Sequence, residues 1–174
     1  MARKLLGAIV IFLLAGCAVL GGIAEREKIY GKEVPVITHS FASKQVHMGE
    51  NWRVYLNASD PDGDMSQILC SVEYQAGLQQ PYPISITRIE KDEQKNLSGY
   101  LYLDTSGLER PISIKMSVTI KDKAGHFSSP AEFSLNIVQP SQKEGEIRRK
   151  EPPGGVFQDK NLGRIMIVLT SDVG

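Results

Sequence analysis

The sequence predicts an all-β fold: a sandwich of two sheets, made of about seven short strands between residues 35 and 139. Three observations lead there. Apolar residues in this region recur at every second position in short runs, the period of a strand buried on one face. Clusters of Asp, Pro, Gly and Ser separate the runs. No segment there carries the three-to-four-residue spacing of an amphipathic helix.

Ahead of this region, Arg3 and Lys4 precede an uninterrupted apolar segment from Leu5 to Ala15, the charge-then-apolar order of an export signal. It ends in Leu14-Ala15-Gly16-Cys17, which resembles the lipobox of bacterial lipoproteins. The resemblance implies that residues 1–16 are a signal peptide cut before Cys17. The Cys17 thiol would carry a diacylglyceryl group, and its new amino group would be acylated. Ala18, rather than Asp, follows the cysteine, which in enteric lipoproteins favours transfer to the outer membrane. A second reading stays open. The uncharged stretch continues to Ala24, about 20 residues, enough to cross a bilayer as one inner-membrane helix with its N-terminus in the cytoplasm. Glycines in the run lower its apolar character and favour the lipid. Either anchor exports the same domain.

Residues 17–34 read as a tether, since "EREKIYGKEVP" holds no sustained period. An opening strand is expected around Val36 to Phe41. "NWRVYLNA" alternates Trp52, Val54 and Leu56 against polar neighbours, and "QILCSVEY" places Ile68, Cys70, Val72 and Tyr74 on one face. "YPISITRIE" carries Ile84 and Ile86, and "LSGYLYLD" carries Leu97, Leu101 and Leu103. "ISIKMSVTI" carries Ile112 to Ile120 at even positions, and "EFSLNIV" carries Phe133, Leu135 and Ile137. Trp52 and the Tyr100/Tyr102 pair lie at strand period, which suits core packing or shielding of a sheet face more than a binding surface.

In "DPDGD", Pro61 presets φ for the first turn position and Gly63 accepts positive φ. "KDKAGHFS" supplies Asp122 and Gly125 for a second turn. Ala58, Asp60, Pro61, Asp62, Gly63 and Asp64, with Asp122, Ala124, Gly125, His126 and Ser128, resemble the turn motifs of bacterial immunoglobulin-like domains, the broad group that includes fibronectin type III and cadherin-like modules. His126 stands where Asn is usual. The resemblance spans roughly residues 35–139 and implies an immunoglobulin-like sandwich.

Residues 140–174 open as a linker rich in Pro, Gly and charge and end in an apolar run, Arg164, Ile165, Met166, Ile167, Val168, Leu169 and Thr170, too short to span a membrane. Two readings are open for that run: an extra strand on its own sheet edge, or a strand added to a partner's sheet.

Removing residues 1–16 leaves about 158, one domain of ordinary size. Twenty basic residues balance twenty acidic ones, which argues against a nucleic-acid partner. With Cys17 committed to lipid, Cys70 has no cysteine to pair with, and no disulfide is expected. Asp60, Asp62 and Asp64 alternate as oxygen ligands for Ca²⁺ do at the start of an EF-hand, but Met65 and Ser71 stand where that motif needs Gly and Glu. A solvated turn is therefore the weightier expectation.

His39, His47 and His126 are scattered, with no His-x-x-x-His or Gly-x-Ser-x-Gly pattern, so no enzyme is expected. A hydrolase would need a histidine to meet both an acid and a nucleophile. The reading is a membrane-anchored envelope lipoprotein whose sandwich binds or scaffolds an envelope protein. The alternative is a calcium-dependent adhesion or glycan-binding domain.

Overall fold

The computed structural model describes residues 22–74, 84–140 and 151–169. The expected signal, Cys17 and all of residues 141–150 of the linker lie outside these residues. Among those described, no helix is long and apolar enough to cross a membrane.

The described residues form an all-β sandwich of two sheets. One sheet contains β1 (Val36–Ala42), β3 (Asn51–Ser59), β6 (Asn96–Asp104) and β9 (Asn161–Arg164), in the order β1-β3-β6-β9. The other contains β2 (Gln45–His47), β4 (Met65–Tyr74), β5 (Ile84–Arg88), β7 (Ile112–Asp122) and β8 (Ala131–Val138), in the order β2-β8-β7-β4-β5. Neighbours pair antiparallel except β2 with β8 and β6 with β9.

The period-2 reading carries through to the core. Trp52, Val54, Leu56 and Ala58 of β3 face Ile114, Met116, Val118 and Ile120 of β7 across the interior, all buried. Trp52 sits wholly inside, edge-on to Phe133 at 6.3 Å, and its indole N–H donates to the Ser43 carbonyl at 2.7 Å. That bond fixes the point where the chain leaves β1 in one sheet and enters β2 in the other. Tyr100 instead joins Tyr55 and Phe157 on the outer face of the first sheet.

One strand is turned over relative to its apolar pattern. Ile84 and Ile86 are exposed, while Ser85 between them is buried. The register explains it: Ser85 pairs with the inward-facing Cys70, so it shares that face, and its Oγ accepts the Met166 N–H at 2.8 Å.

Residues 151–169, part of the expected linker and tail, pack against the sandwich. Residues 151–160 cross the outer face of the first sheet, where Asn57 donates to the Val156 carbonyl at 2.7 Å and the Gln158 N–H donates to Ser98 Oγ at 3.0 Å. Strand β9 then pairs with β6, and the Ile165 N–H continues that pairing to the Tyr102 carbonyl at 2.8 Å. Gly99 makes room for β9, since a Cβ there would meet the Lys160 carbonyl oxygen at 2.5 Å. Ile165, Ile167 and Leu169 bury into the core, while Met166 and Val168 point out. The expected strand-addition segment from Arg164 to Leu169 is thus placed against its own chain, closing the side of the sandwich between β6 and β5.

The tether is likewise partly structured. Ile23–Tyr30 form a short helix, α1, with no buried residue, so it has no apolar face for a sequence pattern to reveal.

Candidate functional site

Strand alternation, carried to the end of β7 and one step past the end of β3, builds an unusual cluster among the described residues. The inward series Trp52, Val54, Leu56, Ala58 reaches Asp60, and the facing series Ile114, Met116, Val118, Ile120 reaches Asp122. Asp64, entering β4, completes the group. Ligand atoms of the three carboxylates lie within 4.8 Å of one another, and the residues are 1%, 5% and 2% exposed for Asp60, Asp64 and Asp122.

Local backbone geometry holds them. Asp60 Oδ1 accepts the Asp62 N–H at 3.0 Å, and the Gly63 N–H donates to the Asp60 carbonyl at 3.1 Å, with Gly63 at φ 72° as that turn requires. Asp64 Oδ2 accepts the Lys123 N–H at 3.1 Å, tying the β3–β4 turn to the β7–β8 turn. Asp122 Oδ1 accepts the N–H groups of Gly125 and His126 at 2.5 and 2.7 Å. Gly125, at φ 107°, takes the left-handed position, so His126 need not. Two oxygens are left over: Asp60 Oδ2 and Asp64 Oδ1 are buried with no hydrogen-bond partner.

The electrostatics are adverse. At 4.8 Å, two unit charges repel by about 3.5 kcal/mol at an effective dielectric constant of roughly 20. Burial, and then the adjacent Asp64 carboxyl, push the Asp60 carboxyl up to about 6.

His126 lies beside the cluster with both ring nitrogens against carboxylates: Nδ1 is 2.8 Å from Asp122 Oδ2 and Nε2 is 3.1 Å from Glu27 Oε1. Glu27 and Asp122 raise its pKa above the ordinary histidine value. With both nitrogens so occupied, the ring is not placed to accept a proton from a hydroxyl or thiol nucleophile. His39 lies on exposed β1, and His47 ends β2 with Nδ1 3.6 Å from Glu50.

Through Glu27 the same corner receives the tether. The Arg26 guanidinium lies against Gly125, and the Glu33 N–H donates to Asp62 Oδ2 at 2.8 Å. Asp62, expected to stand with Asp60 and Asp64, is instead exposed and engaged with the tether, and Asp122 takes the third place in the cluster. Asp122 was legible in principle, as the polar residue at which β7's inward series ends. Cys70, by contrast, lies in the core away from any site, and burial pushes its thiol up to about 12.

No protein-family model matches the chain. No curated protein matches it. Among solved structures, the chain is similar to the PKD domain of an M14-like peptidase from a Thermoplasmatales archaeon, with 14% identity and a TM-score of 0.32 over 62% of this chain and 98% of that one. It is also similar to the CARDB domain of a Pyrococcus furiosus protein, described in complex with di-metal ions, with 11% identity and a TM-score of 0.27 over 62% of this chain and 88% of that one.

Proposed function

We propose that the chain is a lipoprotein of the bacterial cell envelope, held in the outer membrane by acyl chains on Cys17, whose sandwich acts as a non-catalytic protein-binding module. The anchor rests on the order of charge, apolar run and Leu14-Ala15-Gly16-Cys17 at the N-terminus. The observation that carries the binding role lies at the β5 edge of the second sheet. Where β5 meets the C-terminal segment, Ile84, Ile86, Met166 and Val168 are 62%, 58%, 72% and 83% exposed. Ser85 and Met166 are joined by a hydrogen bond, so both apolar pairs belong to one seam. Large apolar side chains gathered on a surface favour cover by another protein. In this reading the lipid supplies residence, the tether sets reach and the seam supplies recognition.

The test is affinity capture from detergent-solubilised envelopes with wild-type protein and an Ile84→Ser/Ile86→Ser variant. These side chains do not contribute to the core, so the variant keeps its fold. A partner retained by wild type and lost by the variant supports the reading; identical partner sets from both would remove the seam from it.

A further inference from the structure

We propose that Asp60, Asp64 and Asp122 form a binding site for a hard divalent cation of the calcium class, seated at the end of the sandwich where the β3–β4 and β7–β8 turns meet. This goes beyond the anchoring and binding roles and depends on neither. The three carboxylates offer ligand atoms within 4.8 Å of one another. That spacing is found between oxygens across a calcium shell, whose bonds are about 2.3–2.6 Å long.

A second observation is separate from the clustering of acids. Asp60 Oδ2 and Asp64 Oδ1 are unpartnered atoms on side chains more than nine-tenths buried. Buried polar atoms are nearly always paired, so two open oxygens on carboxylates whose ligand atoms lie within 4.8 Å of one another mark a place that a positive ligand satisfies. The companion oxygens are held by backbone N–H groups of Asp62 and Lys123, which leaves the open ones to a ligand. Asp122, fixed by the N–H groups of Gly125 and His126, retains lone pairs for a third bond. Among the described residues, the ion pair made by these three aspartates is that of Asp122 with His126, so Asp60 and Asp64 have no salt-bridge partner. All three donors are oxygen, the preference of calcium rather than of zinc or copper. Water would fill the rest of the shell.

The rival arrangement is a proton shared between Asp60 and Asp64 with no ion. Full-length protein in detergent micelles, stripped with a chelator, separates the two when titrated with calcium chloride by calorimetry and followed by thermal unfolding. The cation site predicts one calcium per chain and a rise in melting temperature of several degrees. Asp64→Asn should weaken binding at least about tenfold, while Asp62→Ala leaves it nearly unchanged because Asp62 lies outside the cluster. In chelator, Asp64→Asn should melt no lower than wild type, since it removes one of the crowded charges. If Asp64→Asn does not fold, Asp60→Asn must show the same loss. Absence of calcium uptake at millimolar concentration overturns the proposal. So does equal loss of binding in Asp62→Ala and Asp64→Asn, which would place any ion on the exposed loop.

Discussion

Cys70 shows how strand alternation decides the chemistry of a side chain. It falls on the inward face of β4 and is buried, where removal from water opposes the thiolate. A buried thiol held far above its ordinary value presents little thiolate to a reagent in the native state. A thiol-directed reagent at mildly alkaline pH should therefore leave Cys70 unmodified in folded protein and label it fully in denaturant. Fast labelling without denaturant would contradict its placement. Gly99 makes the complementary point about space. A methyl group there would press on the Lys160 carbonyl and the Leu162 side chain, and Gly99→Ala should cost about 1–3 kcal/mol of stability by overpacking, measured by urea denaturation.

At the scale of elements, the C-terminal segment behaves as part of the core. Ile165, Ile167 and Leu169 are 1%, 6% and 7% exposed, and each such side chain contributes about 1.5–3 kcal/mol by leaving water. Ending the chain at Pro140 should therefore remove a large part of a stability of the usual 5–15 kcal/mol and leave a protein that melts early or aggregates. Ile165→Ala alone should cost about 2–5 kcal/mol, read from the same denaturation curves.

Helix α1 is the opposite case. It is held by the polar contact of Glu27 with His126, and the chain just after it by the Glu33 N–H on Asp62. Glu27→Ala should speed tryptic cleavage after Arg26 and Lys28 while moving the melting temperature of the sandwich little. Unchanged cleavage would show that the helix does not depend on that contact.

These elements also show what sequence could and could not reveal. Strands β3, β4, β6, β7 and β8 were legible because one face of each is buried and the side-chain period is 2; β1 was legible from its short β-prone run alone, since none of its residues is buried. Strand β2 was not, being three residues long. Neither was α1, whose partners are distant loops rather than an apolar stripe. Ile84 and Ile86 misled because the register with β4, invisible in a single strand, turned Ser85 inward. At the acidic corner, Asp60 and Asp64 were visible in one turn, but Asp122 arrives from another strand some sixty residues later. Only the sandwich brings them together.

For the whole molecule, the balance of twenty basic and twenty acidic residues leaves little long-range field, so location and contact rather than electrostatic steering would bring a partner to it. The tether docks at the corner with the three aspartates, and the exposed seam involves β5 and the C-terminal segment. The docked tether and the exposed seam therefore involve different parts of the sandwich, as the proposed anchor and recognition surface require. What the functional account needs most is the anchor itself. Mass spectrometry of the native protein extracted from membranes tests it directly: the account predicts an N-terminal peptide beginning at Cys17 and carrying a diacylglyceryl group and an amide-linked acyl chain. An unacylated chain beginning at any other residue would contradict it.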